Sequence, residues 1–404
     1  MVPAPLTIAE LADRAGVTAG FVEELCDASV LTGNGNDRPF NDGDVRRAQL
    51  IDACARAGMP VADVGEAIRR GTLALDALDR DYYERWEGRA DLTYGELAEQ
   101  AGVPWAFFRA VHVALGFRPG EPHERPRQDE LTLLPAFAVA LRFGIEQEAL
   151  IRLLRVYGES LRRITRAETQ LWHENIDVPA QRGGTSQRDV LIGGAEFGQE
   201  IMSVIDLAVL SIYHRMQEFA WMEDLVEHIE LGLEEAGVRT RLERPPAMCF
   251  VDLTGYTKLT EERGDEAAAE LAAALGEIVQ ATVNPHDGHA VKWLGDGVML
   301  SFRRAPDAVV AALELVASTD RHDLPAAHVG VHAGPVVVRD GDYFGRTVNL
   351  ASRISGRAGP REVLVTAEVV SESDGVEVAF EPVGPIELKG VAAPVALFRA
   401  SPGR

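Results

Sequence analysis

Cysteine is scarce: Cys26, Cys54 and Cys249 are the only three in 404 residues, too few and too scattered for a disulfide framework or a zinc site. Long apolar runs are missing as well. Leu133 to Leu141 is short and Asp206 interrupts Ile201 to Tyr213, so nothing approaches the ~18 residues that a membrane span needs. The first residues offer neither a basic n-region nor an apolar h-region, so no export signal is expected and a cytoplasmic location is. Positive charge is in deficit, with 40 Lys and Arg against 63 Asp and Glu and a formal net charge of -23. A surface that acidic repels the phosphate backbone of nucleic acids unless a local basic patch overrides it. A small anionic ligand would likewise need local neutralisation by metal ions or a few lysines and arginines. What is present, 46% apolar and 25% charged, is the composition of a globular chain of two or three domains.

Near the N-terminus, Leu6 to Val17 reads as a helix ended by a glycine turn at Gly16, with Thr18 capping a second helix. The same pattern returns at Leu92 to Val103, 86 residues on, and Ala57-Gly58-Met59 pairs with Phe143-Gly144-Ile145 at that offset. An internal duplication is the direct reading, with a first helical lobe over 1–88 and a second over 89–174. Each lobe resembles the winged-helix fold of MerR-type regulators, whose usual partner is DNA. The recognition-helix candidates do not suit that partner. Thr18 to Asp27 carries Glu23, Glu24 and Asp27 with no lysine or arginine, and Pro104 to Leu115 carries only Arg109 and His112 among Trp105, Phe107 and Phe108. A helix in a major groove needs donors for phosphates and base edges. No DNA binding is therefore expected, and the apolar face of the second lobe is expected to meet a partner or an apolar ligand.

Pro179, Gly183, Gly184 and Ser186 predict a break over 175–187. A linker helix over 185–240 follows, with two interleaved seven-residue series: Ile205, Ile212, Phe219, Val226 and Leu233, and Ile201, Ala208, Arg215, Met222 and Ile229. Only Arg215 breaks the apolar seams. This is coiled-coil patterning, and an amphipathic helix packed inside its own chain is the alternative. His214 and His228 offer titratable groups along it. Gly237 and Pro245-Pro246 stop the helix.

The most informative stretch runs from 248 to 300. It opens with an apolar strand ending at Asp252-Leu253-Thr254-Gly255-Tyr256-Thr257 and closes with Val291-Lys292-Trp293-Leu294-Gly295-Asp296-Gly297-Val298. Between them, about Lys258 to Val283, the apolar spacing predicts a helix. Strand, helix and hairpin would bring Asp252 and Asp296 to one sheet edge as a divalent-metal pair. Either aspartate alone would read as a turn or cap residue. The segment Phe250 to Thr257 resembles the first strand and loop of class III nucleotidyl cyclases. Lys292 to Met299 resembles their second metal-binding hairpin, and Asp342-Tyr343-Phe344-Gly345-Arg346-Thr347-Val348-Asn349-Leu350-Ala351-Ser352-Arg353 resembles their most diagnostic block. The resemblance covers about 247–400, within a catalytic domain placed at 245–402.

That resemblance implies a ferredoxin-like α/β fold and an adenylyl cyclase, similar to soluble actinobacterial cyclases with an N-terminal helical regulatory region. Asp252 and Asp296 would hold two Mg²⁺ or Mn²⁺ per site, hard ions suited to oxygen ligands. The loop residues Thr254, Gly255, Tyr256 and Thr257 would offer amides to the ATP phosphates. Asn349 would bond the ribose and Arg353 the transition-state charge; being four apart, they share one helical face. Lys389, in Glu387-Leu388-Lys389-Gly390, would bind the leaving pyrophosphate. Adenine shows an acceptor at N1 and a donor at N6, which matches Lys292 donating and Asp342 accepting; guanine shows the opposite pattern. In the family each site forms between two domains, so a homodimer with two equivalent sites is expected. Gly297 departs from the usual alanine, and a looser hairpin is expected there. The alternatives are a nucleotide-sensing transcriptional regulator with a cyclase-like domain, and a guanylyl cyclase. The first is opposed by the intact Asp252, Asp296, Asn349 and Arg353, the second by Lys292 and Asp342.

Overall fold

In a computed structural model of the chain, residues 6–33, 38–80, 89–238, 245–322 and 324–403 are described. Residues 1–5, 34–37 and 81–88 of the expected first lobe, and the last two residues of the expected linker, 239–240, lie outside them. No helix among the described residues is long and apolar enough to cross a membrane. The chain divides into two compact units, Met1–Glu227 and His228–Arg404.

The first unit is helical. Helices α1 (Ile8–Ala15), α2 (Ala19–Asp27), α3 (Asp42–Arg56) and α4 (Val61–Arg69) precede α5 (Tyr94–Ala101), α6 (Trp105–Leu115), α7 (Leu133–Arg142) and α8 (Gln147–Trp172). Starts recur 86 residues apart, Ile8 with Tyr94, Ala19 with Trp105 and Val61 with Gln147. Asp42 matches Gln128 in the same way, where a 3-10 turn (Gln128–Thr132) leads into α7. The caps recur too. Thr7 and Glu10 form a capping box at α1, Thr93 and Glu96 one at α5, and Gly16 and Gly102 end these helices with φ of 71° and 65°. Leu11, Val22, Leu25, Phe40, Ala48 and Ile51 make the core of the first set.

Two expectations change in this unit. Phe107 and Phe108 are buried within their own lobe, and the Tyr94 ring stands 5.4 Å from that of Phe108. These two rings therefore belong to the lobe's own core and are not presented on its surface. His112, one of the two basic residues of this helix, is buried as well, with Nε2 3.1 Å from Glu130 Oε2. The break expected from 175 is also shorter. A π-turn (His173–Asp177) continues α8 into α9 (Val178–Arg182), with Pro179 in the first positions of α9. Only Gly183 to Ser186 interrupt the helix before α10 (Gln187–Glu235). Along α10 the seam residues Ile212, Phe219, Met222 and Ile229 are each more than half exposed, while Ile201, Ile205, Val226 and Leu233 are partly covered.

The second unit is a layered α/β domain. Its elements are β1 (Ala247–Leu253), α11 (Tyr256–Arg263), α12 (Asp265–Val283), β2 (Gly288–Trp293), β3 (Gly297–Phe302), α13 (Ala305–Arg321) and β4 (Ala327–Ala333). Then come β5 (Val337–Arg339), β6 (Asp342–Phe344), α14 (Arg346–Ser355), β7 (Val363–Thr366), α15 (Ala367–Glu372), β8 (Val378–Ile386) and β9 (Val395–Pro402). The main sheet runs β2-β3-β1-β4-β7-β9-β8, with β4 and β7 parallel and the other pairs antiparallel. Strand β3 is buried throughout, as expected of a strand covered on both faces. Val251, Leu275, Val279, Val309, Leu315 and Val331 pack on the α12/α13 side. Met248, Phe250, Met299, Val348 and Ala351 pack on the α14 side.

The single helix expected from 258 to 283 is two, since Gly264 at φ 87° breaks the run between α11 and α12. After β4, the short strand β5 pairs with β6 in a separate hairpin that joins Arg339 to Asp342.

Candidate active site

Asp252 ends β1 and is paired with Gly297 on one side and His328 on the other. The β2–β3 turn, closed by Leu294 N–H donating to the Gly297 carbonyl (2.8 Å), sets Asp296 beside it. Burial, and secondly the negative charge of Asp296, hold the Asp252 carboxyl above its ordinary range, against the weaker downward pull of His328 and the Leu253 amide. The expected carboxylates thus converge closely enough to feel one another.

Lys292 on β2 and Asp342 at the start of β6 meet, with Lys292 Nζ 2.5 Å from Asp342 Oδ2. Asp342 Oδ1 also accepts from the Tyr343 amide at 2.8 Å, which orients the carboxylate. The exposed ring of Phe344 lies 6.0 Å from the Lys292 ammonium.

On α14 one face is buried, through Val348, Leu350, Ala351 and Ile354, while Asn349 and Arg353 stand on the exposed one. Leu388 packs with Leu350 and Ile354, which anchors the exposed Lys389 beside this helix.

The comparisons with known proteins address this unit directly. Residues 242–398 match the adenylate and guanylate cyclase catalytic domain family. This segment is a class III cyclase domain. A protein of Mycobacterium tuberculosis named pH-sensitive adenylate cyclase MT1302 is 28% identical over 325 residues, 76% of this chain and 77% of that one. An adenylate cyclase of Streptomyces coelicolor is 27% identical over 280 residues, 69% of this chain and 70% of that one. Among solved structures, the adenylyl cyclase CyaB from P. aeruginosa is 25% identical, with 40% of this chain and 95% of that one covered and a TM-score of 0.37. The chain is an enzyme of the phosphorus–oxygen lyase class.

Within the cyclase domain the loop after β1 departs from expectation at Thr254, whose amide donates to the Ala326 carbonyl at 2.9 Å and is not free for a phosphate. The Tyr256 hydroxyl donates to the Ala268 carbonyl at 2.9 Å, so that side chain braces α12. Gly255, at φ 79°, turns the chain into α11, and with Thr257 it remains exposed at the helix start. Gly297 does not loosen the hairpin. A Cβ there would lie 2.8 Å from the Val251 carbonyl and 3.3 Å from Asp252 Oδ1, so glycine permits a close approach to β1.

The chemistry of the donor set fits a divalent cation, since two carboxylates in each other's field are hard oxygen ligands whose mutual repulsion a cation relieves. No three His, Cys, Asp or Glu side chains are already gathered to hold a metal among the described residues, so groups beyond these two carboxylates would have to complete its sphere. One polar neighbour of the pair was not singled out from the sequence. His328 Nε2 lies 3.7 Å from Asp252 Oδ2. Its signal is the alternation His328, Gly330, His332 along β4, which sets polar groups on one face of an otherwise apolar strand.

Proposed function

We propose that the chain is an adenylyl cyclase that converts ATP to 3',5'-cyclic AMP and pyrophosphate by in-line attack of the ribose 3'-hydroxyl on the α-phosphorus. The observation that carries this reading is the Lys292–Asp342 pair, a donor and an acceptor on rigid strands beside an exposed aromatic ring. The pair matches the N1 acceptor and N6 donor of adenine and mismatches guanine. Relatives named adenylate cyclase in Mycobacterium and Streptomyces support the same substrate.

Asp252 and Asp296 would hold two Mg²⁺ or Mn²⁺ ions. When bound, these ions lower the pKa of the attacking hydroxyl and neutralise the triphosphate. Asn349 holds the ribose by a hydrogen bond, and Arg353 forks onto the charge that grows on the phosphoryl oxygens. Lys389 binds the leaving pyrophosphate, and the amides of Gly255, Tyr256 and Thr257 meet the phosphate chain.

Two copies share each site in this proposal, Asp252 and Asp296 from one and Lys292, Asp342, Asn349, Arg353 and Lys389 from its partner. Exposed Val337, Val338 and Phe344 on the β5–β6 hairpin, and the exposed seam residues of α10, support a second copy as the cover. The helical unit is proposed to regulate the enzyme through α10, with a proton as its signal. The alignment with the pH-sensitive mycobacterial enzyme supports this, since it is longer than segment 242–398.

The test is turnover of ATP and GTP by the full chain with Mg²⁺ or Mn²⁺, with the product identified. Cyclic AMP formed from ATP, with GTP used at least about tenfold less well, is expected. Preferential use of GTP, or no cyclic product with either ion, would overturn the reading.

A further inference from the structure

His328 faces Asp252 across the β1–β4 ladder, and its side chain is only 13% exposed. Its Nδ1 lies 3.0 Å from the carbonyl oxygen of Ser355, the last residue of α14. A carbonyl only accepts, so Nδ1 carries the proton and donates it. In the neutral ring that leaves the lone pair on Nε2, which lies 3.7 Å from Asp252 Oδ2. This is too long for a hydrogen bond, and two acceptors do not attract each other. Bonds of about 2.0–2.2 Å set neighbouring donors of one octahedral ion roughly 3 Å apart, so a side-chain shift of under about 1 Å would bring both atoms onto one small cation. An N–H given to a backbone carbonyl is also how metal-binding histidines are held in tautomer and direction.

We propose that His328 is a nitrogen donor to the ion that Asp252 holds, which makes the site mixed in character and not all-oxygen. The inference rests on Asp252 being a metal ligand. Imidazole disfavours Mg²⁺, which prefers oxygen and keeps its water, relative to transition-series ions. This chain's site is therefore biased toward Mn²⁺. The same imidazole ties the metal end of the site to the C-terminal end of α14, the helix that carries Asn349 and Arg353.

The test is pulsed EPR on the full-length protein with Mn²⁺ alone, comparing the parent with His328→Asn. The asparagine amide can still donate to the Ser355 carbonyl but supplies no donor atom at the position of Nε2. Nitrogen coupling to Mn²⁺ is expected in the parent and absent in His328→Asn, with Mn²⁺ bound about tenfold or more weakly and Mg²⁺ affinity lowered less. If His328→Asn does not fold, histidine labelled with ¹⁵N in the parent serves instead, and the coupling must change to that of ¹⁵N. Bound Mn²⁺ without nitrogen coupling, coupling that survives His328→Asn, or a ¹⁴N pattern unchanged by labelling overturns the proposal alone. Failure of the parent to bind Mn²⁺, or equal binding after Asp252→Ala, overturns the Asp252 site as well.

Discussion

Lys292 Nζ and Asp342 Oδ2 lie 2.5 Å apart although the two residues belong to different sheets of the cyclase domain. Each fixes the other's position in the absence of a base, and an adenine edge can take over both partners. Replacing Lys292 with Glu and Asp342 with Cys together should lower kcat/KM for ATP by about 100-fold or more while Mn²⁺ affinity stays near that of the parent. Steady-state kinetics with ATP and GTP, beside Mn²⁺ titration, measure this. Unchanged ATP turnover would remove these residues from base reading.

Asp252→Ala and Arg353→Ala should each be inactive alone and regain activity when mixed, because one mixed-dimer site keeps both residues. Subunit exchange shown by tagged copies, followed by a cyclase assay of the mixture, checks it. Mixed dimers that form and stay inactive would sink the shared site.

Gly297→Ala should destabilise the cyclase domain by about 1–3 kcal/mol, the usual cost of overpacking, because its Cβ would meet the Val251 carbonyl at 2.8 Å. Activity should fall with it, since the same strand shift displaces Asp252. Thermal melting and turnover measured together test the pair of effects; an unchanged melting temperature would contradict them.

Asp252→Asn should raise the melting temperature of the metal-free protein at neutral pH. Burial and the charge of Asp296 hold the Asp252 carboxyl above its ordinary range. The group's contribution to stability is therefore present below the ordinary carboxylate pKa and lost as pH rises through the raised value. The advantage of the variant should shrink and vanish as pH falls below about 4. Melting curves in chelator across pH measure it, and an advantage that persists in acid would refute the assignment.

Arg215→Leu tests the seam of α10. The Arg215 guanidinium lies 5.7 Å from the centre of the Phe219 ring, in a face that is otherwise apolar and in part exposed. If two copies pair along this face, burying the charge costs stability and keeps two arrangements close in energy. The leucine variant should lock one of them, shift basal activity several-fold and blunt the response to pH. Parent-like rate and pH profile in full-length Arg215→Leu would make the helix a passive spacer.

Much of this protein follows from local chemistry in its sequence. Thr-x-x-Glu boxes and glycine stops set the ends of α1 and α5, where capping energetics act within a few residues. The apolar strand ending in Asp252 and the Gly295-Asp296-Gly297 turn announced a strand and a hairpin for the same reason, as did the four-residue spacing of Asn349 and Arg353 on α14. Tertiary structure decided what depends on which strands lie side by side. The pairing of β1 with β4 sets His328 opposite Asp252 and commits the Thr254 amide to Ala326. The packing of α6 against α5 and the turn at Gln128 turned Phe108 and His112 inward. The approach of β3 to β1 made Gly297 a close contact. Such neighbours are tens of residues apart in the chain, and no local propensity encodes the distance at which their atoms meet.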